Sequence, residues 1–192
     1  MTRDTGRRAG LTFVEYIFVA ALLALVGTFL TTFSIQQSEF MQVSVIESDV
    51  HARAQISLQA ITNELRHSTR ESAGSPPNVS IPVPPGNTTL TLYLPTDADG
   101  NGVIVNAAGA VEWDTLNAVQ YQYVPAARQL VRVAGATTHV LTNDVTGVAF
   151  EDQSMDGTLG ADEVRVRLTL ARATPRGRIL SMTATAVVAL RN

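Results

Sequence analysis

The chain has 192 residues, enough for one globular domain with a core of its own and too few for two large ones. Hydrophobic residues make up 45% and charged residues 16%, and the formal charge is only -3. No basic cluster interleaved with aromatics follows the first ten residues, so the electrostatic footprint of a nucleic-acid binder is missing. With no cysteine, a disulfide framework, a thiolate metal site and a cysteine nucleophile are all excluded.

In chain order, residues 1–10 are polar and carry Arg3, Arg7 and Arg8. An apolar run follows over 11–33, interrupted by a single charge, Glu15. At 1.5 Å per residue such a run spans about 30 Å, the thickness of a bilayer core, which predicts a membrane helix. The arginines in front of it favour a cytoplasmic N-terminus, leaving the rest of the chain on the far side. A conventional secretory signal has a shorter apolar region that ends at a small-residue cleavage site, and Thr28-Phe29-Leu30-Thr31-Thr32-Phe33 offers no good one. A carboxylate inside a membrane helix is costly, so Glu15 demands a cationic partner.

Ala9-Gly10-Leu11-Thr12-Phe13-Val14-Glu15 resembles the leader junction of type IV pilins and type II secretion pseudopilins. The resemblance implies that a prepilin peptidase cuts between Gly10 and Leu11, that the new Leu11 amine is methylated, and that Glu15 is the glutamate fifth in the mature chain. A buried amine and a buried carboxylate each cost several kcal/mol when isolated. The Leu11 amine of one subunit and Glu15 of its neighbour could therefore compensate each other during assembly. Leu11 stands where the family more often has phenylalanine, and Tyr16 where an aliphatic residue is usual. The proline that often interrupts the helices of major pilins is absent, so a continuous helix is expected, with Gly27 as its weakest point.

Beyond the membrane run, residues 34–70 contain neither proline nor glycine. Phe40, Val43, Ile46, Val50, Ala54, Leu58, Ile61 and Leu65 recur in steps of three and four, which marks one face of a helix. Glu47, Asp49, Arg53, Glu64 and Arg66 are assigned to the opposite face as solvated or interfacial charges, with Asp49 and Arg53 spaced as an i,i+4 pair. Gly74-Ser75-Pro76-Pro77 ends the helix. Pro82, Pro84, Pro85 and Gly86 then predict a loop or a broken edge strand.

The period changes to two at Leu90, Leu92 and Leu94, where the sheet begins. Val119, Tyr121 and Tyr123, then Gln129-Leu130-Val131-Arg132-Val133, predict a hairpin. Val148 and Phe150 suggest a further strand, followed by Val164, Val166, Leu168 and Leu170. Met182, Ala184, Ala186, Val188 and Leu190 close the chain. The organisation is a leader over 1–10, a membrane or filament-core helix over 11–33, an amphipathic continuation over 34–73, and a β-rich head over 74–192. The fold class is α+β, a long N-terminal helix packed on a C-terminal antiparallel sheet.

Several segments of this second half resemble PilW-like minor pilins and J-type minor pseudopilins. They are Ala52-Arg53-Ala54-Gln55 through Asn63-Glu64-Leu65-Arg66, Val119-Gln120-Tyr121-Gln122-Tyr123 with Leu130-Val131-Arg132, Leu141 through Phe150, and the Leu190-Arg191-Asn192 end. Their order along the chain implies a minor subunit that takes part in assembly, priming or tip formation. The implied partners are the prepilin peptidase, other pilin or pseudopilin subunits, the inner-membrane assembly platform and membrane lipid.

Two acidic loops have the ligand spacing of a calcium site. Asp152, Ser154 and Asp156, with Gly157 sixth and Glu163 twelfth, follow the twelve-residue pattern, though Ser154 replaces an acid or amide. The competing reading is a polar hairpin loop whose Asp and Gly serve the turn. Asp97, Asp99 and Asn101 begin a second such loop, with Ala108 where the bidentate glutamate belongs and Glu112 reachable only if the loop is longer. No cofactor is required, and calcium is the single candidate. His51, His67 and His139 form no HExxH pair and there is no GxSxG nucleophile motif, so the chain reads as a non-enzyme. Trp113 is expected as a core anchor. A single-pass membrane anchor carrying an extracytoplasmic binding or sensory module is the competing function.

Overall fold

The computed structural model describes residues 13–68 and 79–190. Among the described residues one helix, α1 (Phe13–His67), is followed by eight strands: β1 (Val79–Ser80), β2 (Thr89–Leu92), β3 (Val119–Val124), β4 (Gln129–Ala134), β5 (Thr137–Thr142), β6 (Val145–Glu151), β7 (Glu163–Ala173) and β8 (Ile179–Ala189). The fold is α+β, as the periodicity predicts. The strands form two antiparallel sheets, one of five strands in the order β1-β2-β3-β4-β5 and one of three in the order β6-β7-β8. The chain divides into two compact units after Val45.

In the second unit, Val50, Ala54, Leu58, Ile61 and Leu65 of α1 pack into one core with Leu90, Leu92, Val119, Tyr121 and Leu130 of the larger sheet. The same core takes in Val148, Phe150, Val164, Val166, Leu168 and Leu170 of the smaller one. Alternation explains which side chains point inward: Val164, Val166, Leu168 and Leu170 are buried at every second position of β7. The stripe expected from Phe40 begins later. Phe40 is 75% exposed, Ile46 is half-buried and the first fully buried member is Val50.

The two sheets are joined through the outer edge of β6. The amide of Phe150 donates to the Asn87 carbonyl (2.8 Å) and that of Val145 to the Arg128 carbonyl (2.9 Å). Arg128 has φ of 52°. Its guanidinium donates to the Ala171 carbonyl, 2.6 Å away, and so ties the β3–β4 turn to β7. Short pairing of β1 with β2, only Val79 with Leu92 and Ser80 with Thr91, agrees with a proline-broken edge strand. Trp113 is a correction: it is half-buried outside the core, its backbone bridged to Pro95 within the long connection of residues 93–118. Backbone bonds from the Asp114 amide to Leu94 and from the Thr96 amide to Glu112 hold this stretch, and it is Leu94, not the indole, that packs against the core.

Candidate functional site

The first unit carries its chemistry on the surface of α1. Phe13, Val14, Tyr16, Ile17, Phe18, Leu22, Leu23, Leu25, Phe29, Leu30 and Phe33 are all exposed. No part of its most apolar eighteen-residue window is buried, and the helix is long and apolar enough to cross a membrane. Apolar area on this scale is far beyond what an isolated soluble surface carries. The helix passes through Gly27 without a break. Around it the hydroxyls of Thr28, Thr31 and Thr32 donate back to the carbonyls of Ala24, Gly27 and Thr28 at 2.8–2.9 Å, so these polar groups are satisfied inside the helix. Phe29 and Phe33 stack one turn apart, ring centroids separated by 6.5 Å. Glu15 lies in the first turn, where the helix dipole favours a carboxylate. Gly10 and Leu11 lie outside the described residues.

In the second unit the long connection between β2 and β3 folds Asp97, Asp99 and Glu112 together. One carboxylate oxygen from each lies within 4.8 Å of the others. Gly100 and Gly102 take φ of 73° and 86°, a left-handed conformation that turns the loop tightly enough for backbone amides to face the acids. Asp97 accepts from the amides of Asn101 (3.0 Å) and Gly102 (2.8 Å), and Asp99 from that of Asn101 (3.0 Å). Glu112 accepts from the amides of Ala98 (2.7 Å) and Asp99 (3.3 Å). Its own backbone is held between Thr96 and Ile104. Glu112 therefore stands where the spacing leaves Ala108. Asn101 is turned to local use: its amide nitrogen donates to Asp99 and its oxygen accepts from the Val103 amide. Three hard carboxylate oxygens converging on a tight turn suit a calcium-like cation.

The loop of residues 152–163 is organised differently. Asp152 accepts from the amide and hydroxyl of Ser154 (2.9 and 2.6 Å), and Glu163 accepts from the Gly160 amide (2.9 Å). Asp156 accepts from the hydroxyl and amide of Thr158 and forms an ion pair with Arg165. The Thr158 hydrogen bonds first, and Arg165 after them, hold the Asp156 carboxyl down at about 2. Among the described residues these acids do not gather into a three-ligand group; Asp97, Asp99 and Glu112 do. Asp152, Ser154, Asp156 and Glu163 are here engaged in hydrogen bonds and an ion pair within the loop and with Arg165.

A polar cluster whose partners the spacing does not identify sits beside the core. Glu64, placed by spacing among the solvated or interfacial charges, is interfacial: it accepts a hydrogen bond from the hydroxyl of fully buried Tyr121 at 2.7 Å. It also pairs with Arg132 at 2.8 Å. Burial raises the Tyr121 hydroxyl well above the usual tyrosine range, and the neighbouring Glu64 adds to the effect, so the phenol remains a donor. The Glu64 hydrogen bond likewise raises the Arg132 guanidinium. Asp49 pairs with Arg53 as the i,i+4 spacing predicts (2.9 Å) and also with Arg172 on β7 (2.8 Å). His51 is exposed, 2.9 Å from the Met182 sulfur, and His139 is exposed on β5.

No protein-family model, no curated protein and no solved structure matches the chain.

Proposed function

We propose that the protein is a prepilin-type minor subunit of a pilus-like or pseudopilus filament, a structural and non-enzymatic component. The supporting observation is that a single helix, α1, has an apolar, fully exposed first part and a last part built into the core of a β-rich head. A subunit of this kind uses the first part twice, as a membrane anchor before assembly and as a packing surface for other subunits afterwards. The leader junction Ala9-Gly10-Leu11 with Glu15 supports the same reading. Cleavage after Gly10 creates an amine that can neutralise the Glu15 carboxylate of an adjacent subunit, a pairing that rewards correct register because misalignment strands both charges in an apolar setting.

In this reading the head faces the extracytoplasmic side and meets other minor subunits at the start or tip of the filament. The prepilin peptidase, the assembly platform and lipid are its partners before that. A divalent cation held by the head is assigned to Asp97, Asp99 and Glu112. Replacing Glu15 by Ala tests the assembly role: membrane insertion and head folding are retained, while recovery in sheared filaments falls to background. Wild-type recovery of Glu15→Ala in filaments contradicts the pairing.

A further inference from the structure

The two outer edges of the smaller sheet are treated differently by the fold. The edge of β6 is closed by Asn87 and Arg128, which accept its outward amides. β8 pairs with β7 at eleven consecutive positions, Glu163 with Ala189 through Ala173 with Ile179, without a register shift. Its other side meets no strand among the described residues. The Leu190 amide donates to the Asp162 carbonyl, toward β7. Strand alternation then turns the N–H and C=O groups of Ile179, Ser181, Thr183, Thr185, Val187 and Ala189 to the open side. α1 meets β8 on its inner face instead, where His51 reaches the Met182 sulfur at 2.9 Å beside a concavity of about 270 Å³ lined by Val50, His51, Leu180 and Met182.

Natural edge strands are shielded by charge, proline, bulges or shortness. β8 has none of these; its sequence Ile-Leu-Ser-Met-Thr-Ala-Thr-Ala-Val-Val-Ala holds no charge and no proline over eleven residues. The open edge of the larger sheet differs, since β5 has six residues and the β4–β5 register shifts at Leu130/Val131. β8 is also self-complementary. Two copies laid antiparallel about Ala184 set Ile179 opposite Ala189, Ser181 opposite Val187 and Thr183 opposite Thr185, all residues whose backbone groups face the open side. No charges are brought together, and the threonine pair and the apolar ends are favourable cross-strand neighbours.

We propose that β8 is a strand-pairing edge for a second copy of this chain, joining two three-stranded sheets into one six-stranded sheet about a two-fold axis. The inference concerns the head alone and stands independently of the filament reading. The absence of native cysteine provides a clean test. Full-length chains carrying Ser181→Cys and Val187→Cys, differently tagged and co-purified in detergent, are oxidised and examined for a mixed disulfide dimer. The expected result is a strong mixed dimer that falls at least tenfold when both chains also carry Thr183→Pro. That substitution removes an outward amide and leaves the β7–β8 ladder intact, so the melting midpoint stays close to that of the parent. Thr185→Lys, at an exposed side chain, provides a second way to break the pairing by setting two charges near the axis. No mixed disulfide, a disulfide indifferent to both breaking substitutions, or preferential coupling of Ser181→Cys to Val140→Cys on β5 overturns the proposal.

Discussion

Residues 13–45 and 46–67 belong to one unbroken helix, yet their apolar side chains have opposite fates. In the first stretch Phe18, Leu23 and Phe29 are each more than 60% exposed; in the second Ala54, Ile61 and Leu65 have no exposure at all. Hydrophobicity alone therefore does not distinguish a core helix from a membrane or assembly surface. The arrangement of polar residues does. Over residues 16–33 the first stretch is apolar around its whole circumference, with hydroxyls bonded back to its own carbonyls. The second is apolar along one stripe, flanked by the ion-paired Asp49 and Glu64.

The contrast is broken most severely at the stripe. Ile61→Ala leaves a cavity in a fully buried site and should destabilise the head by about 2–5 kcal/mol in chemical denaturation. Leu23→Ala should leave the same head transition unchanged, because Leu23 contributes nothing to that core. Equal losses for the two would erase the distinction.

Next in size is Glu64. Its removal strands the buried Tyr121 hydroxyl and the half-buried Arg132 together, for an expected loss of about 2–3 kcal/mol. Tyr121→Phe removes one hydrogen bond and leaves the ion pair, at about 1 kcal/mol. Because the Tyr121 hydroxyl is held above its ordinary value of 10.0, its contribution is complete below that pH and fades as pH rises beyond it. The wild-type advantage over Tyr121→Phe should accordingly shrink in strongly alkaline denaturation series.

How far the fold is legible follows from the same contrast. The helix stripe, the β3–β4 hairpin and the inward residues of β7 and β8 are visible because each is a local period of 3.6 or 2. Glu64 is not, since its partners Tyr121 and Arg132 lie 57 and 68 residues away and only sheet register brings them to it. Spacing likewise favours the loop of Asp152, whose twelve-residue pattern is more complete. Folding instead engages Asp156 with Thr158 and Arg165, and gathers Asp97, Asp99 and Glu112 across a connection whose length no fixed motif describes. The division into two sheets also escapes the pattern, because alternation identifies strands and not which edges are joined.

Smaller effects separate the two acidic loops. Calorimetric titration of calcium into the detergent-solubilised full-length protein should give a binding isotherm abolished by Glu112→Ala and retained by Asp156→Asn; the reverse order would return the site to the 152–163 loop. Asp156 has a pH signature of its own. Its carboxyl is held at about 2 against an ordinary 3.8, so the stability it contributes is present above about pH 4 and is lost as pH falls toward 2. The difference between wild type and Asp156→Asn in thermal melts should vanish over that window.

The most direct test of the filament-subunit reading is the intact mass of the full-length protein after co-expression with a prepilin peptidase. Loss of residues 1–10, giving a chain that begins at Leu11 and carries an added methyl group, is the predicted result, and substitution of Gly10 should prevent it. An unchanged mass in the presence of an active peptidase would contradict the account.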